Sequence, residues 1–275
     1  MPTNRIVSPF DRDTQNFIDR WDPEFLLPTP GAIWYGADNL LGSGNEVQGF
    51  LDKSGNDIHA MFSGGYGIEL PRVAAINNQP SLQFTTSIAY IGSFNDRTKR
   101  IDKHVPFCTF GVVILSDWYI ANGGPGYSMI WQLNDGPDTC GLIFTTQDPA
   151  PWPGYTEYLV YVGDGVVPYV GGNKLNQNYV RRYFAYCINY KGGGDFGDPT
   201  KWDLIIDSVA DEVIPSPPYE DVVPDVPNLL TTNNPSSPNS AHAEFFFLPG
   251  RYLQGRDLAG YRAYTQRKYK LGPYT

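Results

Sequence analysis

Acidic side chains are the residues of this sequence best suited to acid–base chemistry, but their spacing does not bring two of them together. A glycan-hydrolysing enzyme needs two carboxyl groups, about 5 Å apart in a retaining mechanism and about 6.5–9.5 Å apart in an inverting one. Residues two apart on a β-strand share a face, so a Glu-x-Asp-x-Glu strand would meet this need. The chain has no such triplet, and its nearest candidates, Glu212 and Glu220, lie in or beside a proline-rich stretch. We therefore predict no catalytic residue and no enzyme activity.

The spacings that activate a serine, bind a nucleotide phosphate or hold a metal ion are also missing. Ser43 lies in Leu-Gly-Ser-Gly-Asn, which falls short of the Gly-x-Ser-x-Gly turn. The glycines at 192–194 lack the Lys-Ser/Thr of a P-loop. We predict no metal site and no cofactor, and thiols that are buried and reduced. The cysteines and histidines, each far apart in sequence, are Cys108, Cys140, Cys187, His59, His104 and His242.

Aromatic side chains in loops are the remaining candidates for ligand contact. Rings among turn-forming residues, as in Pro-Trp-Pro-Gly-Tyr at 151–155, can stack on the face of a sugar. Trp118, Trp152 and Tyr155 are the candidates for glycan binding; packing of these rings in the core or within the loops is the other interpretation. Trp131, by contrast, falls in an apolar segment and is expected in the core.

The segments that must position these rings have the pattern of β-strands. Runs of β-branched and aromatic residues alternate with clusters of turn-forming residues, and the chain contains 29 Gly and 24 Pro. This rhythm is typical of an all-β fold, either an antiparallel sandwich or a jelly roll. The predicted strands are 107–115, 128–133, 141–146, 157–162, 179–189 and 202–207.

One segment, 256–270, has the pattern of a helix. Gly and Pro almost vanish there, and Leu258, Tyr261 and Tyr269 fall on one helical face. Residues 251–270 carry a net charge of +5, so the rest of the chain carries −14, because the whole chain carries −9. We predict a C-terminal helix docked on its own acidic domain. The alternative is that the helix forms a binding surface for an acidic partner.

Two stretches fit neither the strands nor the helix. Residues 1–27 mix charges and aromatics without a period, and residues 211–241 contain seven prolines, which neither a helix nor a central strand accepts. We predict an N-terminal extended arm over 1–27 and a proline-rich excursion over 211–241. The excursion belongs to a single domain at 28–275, and both stretches are expected to contact neighbouring subunits.

Charge and hydropathy argue against two kinds of partner. A net charge of −9 and an isoelectric point near 4.7 do not suit a protein that neutralises nucleic-acid phosphates. The first residues lack the apolar stretch of a signal peptide, and no run of 18 apolar residues follows. We expect neither nucleic-acid binding nor a membrane span.

Several motifs resemble those of a known family. An apolar-Trp-Tyr strand opens the first segment, Asp-Lys-Ser-Gly-Asn followed by His-Ala lies in the second, and Asn-Asn-Gln-Pro lies in the third. The last segment has Glu before three phenylalanines and ends in Tyr-Lys-Leu. Together they resemble the concanavalin A-like, laminin-G-like jelly-roll modules of phage and other virion proteins and of bacterial surface proteins. Phe50 or Leu51 replaces the family's Trp, and Asn78 replaces its Gly. The segments are 31–40, 47–60, 71–84 and 243–271.

The Asp-Lys-Ser-Gly-Asn segment is predicted to form a turn. The Asp52 and Ser54 side chains are expected to bond backbone N–H groups, with Gly55 at positive φ. His59 is expected to form a hydrogen bond within the loop. A calcium site made of Asp52, Asn56 and Asp57 is the alternative.

The resemblance implies a jelly-roll sandwich of two antiparallel sheets in a virion. It implies a non-enzymatic structural protein, attached to the capsid or tail as a decoration, fibre or adhesion component and made in the host cytoplasm. Its expected partners are other virion proteins, cell-surface glycans and further copies of the same chain in a homo-oligomer. The alternative is a free-standing carbohydrate-binding or glycan-hydrolysing jelly-roll module.

Overall fold

The strands of this protein pair antiparallel throughout the part of the chain that the structure describes. The structure is a computed structural model. It describes residues 9–42, 47–63, 72–76, 79–84, 90–91, 104–114, 127–135, 138–145, 156–163, 174–175, 183–193, 199–206, 209–210 and 240–271.

Most of these residues lie in strands, which confirms the all-β prediction; two α-helices accompany them. The helices are α1 (Pro9–Arg20) and α2 (Gly255–Tyr269), with 3₁₀ turns at Pro23–Leu26 and Pro199–Lys201. The strands are β1 (Ile33–Gly36), β2 (Leu40–Leu41), β3 (Gly49–Phe50), β4 (Ala60–Ser63), β5 (Arg72–Ile76), β6 (Gln79–Phe84), β7 (Tyr90–Ile91), β8 (Phe107–Ile114), β9 (Tyr127–Asp135), β10 (Asp138–Thr145), β11 (Thr156–Gly163), β12 (Lys174–Leu175), β13 (Tyr183–Tyr190), β14 (Trp202–Ile206), β15 (Val209–Ala210) and β16 (Ser240–Pro249).

A large sheet forms the centre, in the order β15-β14-β13-β8-β16-β6-β5. Its long strand β16 pairs with β8 along one edge and changes partner along the other, from β6 at Ser240–His242 to β1 at Glu244–Phe247. A bulge between His242 and Glu244 marks the change, because the extra residue interrupts the regular ladder there.

Both faces of the large sheet are buried at its strand β8. One face contributes Phe110, Val112 and Phe246 to a core that also holds α2 residues. On the other face, the Phe107 ring contacts those of Tyr190 and Trp202 at centroid distances of 5.2 and 5.9 Å. A strand buried on both faces needs an almost unbroken apolar sequence, as Phe107–Ile114 has.

Two four-stranded sheets complete the described strands. Their orders are β12-β11-β10-β9, the small sheet below, and β2-β3-β4-β7. The second sheet contacts the large one through Phe50, whose ring stacks on Tyr35 of β1 at 5.5 Å.

The N-terminal segment differs from the extended arm predicted over 1–27. Residues 9–26 form α1 and a 3₁₀ turn, and Trp21 between them is fully buried. The Trp21 ring meets Tyr261 and Tyr264 edge-on at 6.2 and 6.1 Å. The apolar partner that orders this segment lies at the other end of the chain, so the local pattern of residues 1–27 gave no sign of it.

Helix α2 spans Gly255–Tyr269, one residue from the predicted bounds at each end. Tyr261 and Tyr269 are buried, and Leu258 is partly buried. The helix ends at Lys270, which has φ of 59° in the left-handed region. The proline-rich excursion over 211–241 lies outside the described residues except for Ser240 and Ala241, which begin β16.

Candidate functional site

The register of the small sheet brings several chain segments to one end. Thr145, the last residue of β10, pairs with Tyr127, the first residue of β9, and with Glu157 of β11. Thr156 of β11 pairs with Leu175, the last residue of β12. The residues Tyr127, Thr145, Thr156 and Leu175 therefore line one end of this sheet, which we call the aromatic end.

The predicted glycan-binding residues belong to segments that leave from this end. Trp118 lies in 115–126, which joins Ile114 to Tyr127, and Trp152 and Tyr155 lie in 146–155, which joins Thr145 to Thr156. All three residues lie outside the described residues. The backbone nevertheless anchors both segments at neighbouring positions, although 34 residues separate Trp118 from Trp152 in sequence.

The large sheet provides a second anchor. Ile114, where segment 115–126 begins, pairs with Tyr183, where segment 176–182 ends. That segment starts at Leu175 of the aromatic end. The described residues that flank segment 115–126 and those that flank segment 176–182 therefore lie at the same end of each of the two sheets.

The carboxylate of Asp52 stabilises its turn through hydrogen bonds within the protein. Asp52 Oδ1 accepts hydrogen bonds from the backbone N–H of Trp34 at 3.0 Å and of Ser54 at 2.9 Å. Its Oδ2 accepts from Ser54 Oγ at 2.7 Å and from the backbone N–H of Ile58 at 3.1 Å. Both oxygens are thus engaged by internal donors, which favours the predicted turn over a calcium ligand set.

Two other details of the turn agree with the prediction. Gly55 has φ of 82°. The backbone N–H of Asp52 donates to Nδ1 of His59 at 3.0 Å, which confirms a loop hydrogen bond for this histidine. Among the described residues, no group of three or more His, Cys, Asp or Glu side chains could hold a metal ion.

A buried ionic cluster lies where α2 meets β16. The Glu244 side chain is 1% exposed and forms an ion pair with the Lys268 ammonium. The Tyr264 hydroxyl donates to the same carboxylate at 2.8 and 2.9 Å. Lys268 also lies 3.9 Å from Asp38, which pairs with Lys53 at 3.2 Å. The cluster ties α2 to β16 and to the turn after β1.

Burial sets the electrostatics of this cluster. Desolvation raises the pKa of Glu244 above its ordinary value, and the Lys268 charge and hydrogen bonds from Lys268 and Tyr264 oppose that rise. Desolvation and the Glu244 charge raise the pKa of Tyr264 well above its usual range. A carboxylate that is occupied by internal partners and closed to solvent suits a structural clamp better than general acid or base catalysis.

Sequence reasoning did not single out Glu244, Lys268 and Asp38 as a cluster. A signal was present, because a carboxylate between Ala243 and three phenylalanines of a strand must be buried and therefore needs a partner. The partner is 24 residues away on α2, which only the tertiary fold reveals.

The cationic residues of α2 are largely engaged within the protein. Arg267 donates to the backbone oxygens of Trp21 at 2.6 Å and Ile18 at 3.4 Å. The Arg256 guanidinium lies 4.0 Å from the ring centre of Phe17. These contacts favour a helix docked on its own domain over a binding surface for an acidic partner.

The described thiols and one histidine are buried in the core. Burial raises the pKa of Cys108 to about 12 and that of Cys187 well above its usual range, so neither forms a nucleophilic thiolate near neutrality. Burial lowers the pKa of His242 to about 3, so this imidazole is neutral in the folded protein. No helix of the described part is long and apolar enough to cross a membrane.

Comparison with known proteins supports the fold and leaves the family open. No family model matches the chain, and no curated protein matches it. Among solved structures, the binding domain of Paraclostridial Mosquitocidal Protein 1 is similar with a TM-score of 0.52 and 13% identity, over 82% of this chain and 52% of that one. The botulinum neurotoxin serotype D binding domain gives 0.51 and 12%, over 84% and 50%. This chain therefore spans about half the length of these domains.

A third similar structure is domain 4 of AbnA, an extracellular arabinanase from Geobacillus stearothermophilus, in complex with arabinotriose. Its TM-score is 0.50 at 9% identity, over 84% of this chain and 97% of that one. At such low identity these likenesses concern the fold alone. They relate this all-β chain to a fold that occurs in binding domains.

Proposed function

We propose that this protein is a non-enzymatic jelly-roll module that binds a glycan at the aromatic end of the small sheet and belongs to a virion. The observation that supports this site is the register of β9, β10 and β11, which brings the strand ends flanking the segments of Trp118, Trp152 and Tyr155 to one end of the sheet. Rings gathered from separate segments provide a stacking surface for the apolar face of a sugar.

The helix layer supports this location. Residues Tyr261, Tyr264 and Tyr269 of α2, with Trp21 beside them, cover one face of the large sheet. That face is therefore closed to a ligand as large as an oligosaccharide. Loops at the strand ends remain the route by which this fold can present a recognition surface.

The engaged carboxylates support a binding rather than a hydrolytic role. Asp52 accepts four hydrogen bonds from internal donors, and Glu244 is paired with Lys268 beneath α2. Neither side chain is placed to protonate a glycosidic oxygen in solvent. Similar structures also include binding domains and a domain with bound arabinotriose, as their names state.

The glycan-binding part is tested with purified protein on a glycan array, followed by calorimetry on the best ligand. We expect Trp118→Ala, Trp152→Ala and Tyr155→Ala each to weaken binding about fivefold or more, because loss of a ring contact is worth about 1 kcal/mol. Phe25→Ala is the matched control, since Phe25 is 54% exposed and lies in the 3₁₀ turn of the helix layer. Unchanged affinity in the three variants, or release of reducing ends from any bound glycan, would refute this part.

The virion part rests on the motifs that resemble those of phage structural modules. Mass spectrometry of gradient-purified particles, with a copy number per particle, tests it directly. We expect a fixed stoichiometry to the capsid or tail proteins. Recovery of the protein in the soluble fraction alone would favour a free-standing carbohydrate-binding module.

A further inference from the structure

One buried carboxyl group of the large sheet lies against an amine of α2. Glu244 belongs to the middle of β16 and its side chain is 1% exposed, and the Lys268 ammonium contacts its Oε1 atom. Burial removes water from both charges and raises the pKa of Glu244. Transfer of one proton from the ammonium to the carboxylate gives a neutral amine and a neutral carboxylic acid, which a site closed to water favours.

The Tyr264 hydroxyl connects these two groups. Lys268 Nζ donates to the Tyr264 oxygen at 3.0 Å, and the hydroxyl donates to Oε1 and Oε2 of Glu244 at 2.8 and 2.9 Å. Tyr264 and Lys268 are four residues apart on α2, so they share one face of the helix. A hydrogen-bonded path therefore runs from the amine through the hydroxyl to the carboxyl oxygens.

Aromatic rings surround part of the amine. Lys268 Nζ lies 5.5 Å from the ring centre of Tyr264 and 5.3 Å from that of Tyr269, and both tyrosines are buried. The Lys268 side chain is 23% exposed and lies 3.9 Å from Asp38. The carboxyl group is therefore closed to bulk water, whereas the amine keeps a route to solvent by which a small product can leave.

We propose that Lys268 and Glu244 join in an isopeptide bond that the protein forms by itself. The Lys268 nitrogen attacks the carboxyl carbon Cδ of Glu244, and one electron pair of the C=O bond moves to its oxygen. A proton of the attacking nitrogen then passes through the Tyr264 hydroxyl to the hydroxyl oxygen of the acid. The C=O bond forms again, and that hydroxyl leaves as water with the electrons of its C–O bond. One C–N bond replaces one C–O bond, so the step needs no oxidant, reductant or co-reactant.

Contact between the groups and exclusion of water provide what this reaction lacks in solution. Reacting groups held in the right geometry behave as if their concentration were as high as about 10⁸ M. Asp38 also faces Lys268, but its side chain is 39% exposed and pairs with Lys53 at 3.2 Å. A hydrated carboxylate that another ammonium engages is a poor acceptor, so the bond forms with Glu244. The product ties α2 covalently to β16.

Intact-protein mass spectrometry under denaturing conditions tests the proposal. The natural protein, incubated in its folded state, should be lighter than its sequence by one water molecule. After trypsin, the peptide 202–251 should carry the peptide that contains Lys268, and fragmentation should place the bond between the two side chains. Lys268→Arg should keep its full mass, because the guanidinium preserves the charge opposite Glu244 but stays protonated and cannot attack. Tyr264→Phe should lose water more slowly, because the path for the proton is broken.

Lys191→Arg is the matched control. Lys191 forms an ion pair with Asp203 at 2.8 Å, but the two side chains are 39% and 45% exposed, so no bond forms there and this variant should lose water as the natural protein does. Full sequence mass in the natural protein after prolonged incubation would overturn the proposal. Loss of water in Lys268→Arg, or a bond from Lys268 to Asp38, would do the same. The mass of the natural protein decides even where the variants at 264 and 268 do not fold.

Discussion

Replacing Gly260 by alanine should detach the N-terminal helix, although the same change inside most helices is stabilising. A Cβ at position 260 would collide with the Trp21 side chain, lying 2.7 Å from its Cβ and closer still to two indole atoms. Helix α2 passes so close to Trp21 at this point that no side-chain atom fits between them. Alanine is therefore compatible with the helix and incompatible with the buried indole.

The expected cost follows from two opposing effects. Alanine gains about 1 kcal/mol over glycine in a helix interior. Loss of a fully buried tryptophan from its site costs about 3–5 kcal/mol. We therefore expect Gly260→Ala to lower the free energy of unfolding by about 2–4 kcal/mol. Trp21→Ala should cause a similar loss.

A double-mutant cycle separates the collision from other effects. In the Trp21→Ala background the obstacle is gone, so Gly260→Ala should be neutral or stabilising there. Urea melts of the two single variants and the double variant measure these differences, and Gln266→Ala, exposed on the same helix, serves as the control. Trypsin should also cleave after Arg20 faster in Gly260→Ala than in the natural protein. An equal destabilisation by Gly260→Ala in both backgrounds would refute the reasoning.

Three other predictions concern the core, its pH dependence and the Asp52 turn. Tyr261→Phe should cost about 1–3 kcal/mol in urea melts, because the buried hydroxyl donates to the Gly111 backbone oxygen at 2.6 Å and the substitution removes this hydrogen bond. A loss close to zero would contradict the assigned bond. Stability should fall as the pH drops from 6.5 towards 3, since the unfolded chain gains a proton at His242 while the folded protein, with a pKa of about 3 there, does not. His242→Gln should remove that part of the pH dependence, and an unchanged slope in the variant would argue against a buried neutral imidazole. Asp52→Asn should lower the free energy of unfolding by about 2 kcal/mol or more, because the amide nitrogen cannot accept the two hydrogen bonds now made to one carboxylate oxygen. A thermal melt equal to that of the natural protein would show that the turn does not depend on the carboxylate.

Strand positions in the middle of the chain could be predicted from sequence because they follow local rules. Residues 107–115 and 202–207 were predicted as strands, and the structure has Phe107–Ile114 and Trp202–Ile206. Apolar runs bounded by Gly, Pro, Asn and Asp indicate where a strand begins and ends. The predicted strand 179–189 overlaps the described strand Tyr183–Tyr190, and residues 179–182 lie outside the described residues.

The sequence identified candidate binding residues but not the register of the strands that flank them. Turn-forming residues around Trp152 indicate an aromatic loop, but only the pairing of Thr145 with Tyr127 shows that the strand ends flanking segments 115–126 and 146–155 are neighbours. Pairing depends on the register of whole strands, and register follows from burial of one face against residues distant in sequence. Composition therefore identified candidate residues, and the register of the sheet determined which strand ends are neighbours.

Sequence alone determined the all-β class, the C-terminal helix and the Asp52 turn, because each depends on residues within one short segment. Only the tertiary structure determines how the N-terminal segment is ordered and which residue carries the counter-charge of Glu244. Trp21 is ordered by Gly260 and Tyr261, about 240 residues away, and Glu244 finds its counter-charge on a different element. Local propensity cannot report such contacts. The free energy that orders both groups comes from apolar surface and charge that meet only after the two ends of the chain have packed on the same sheet.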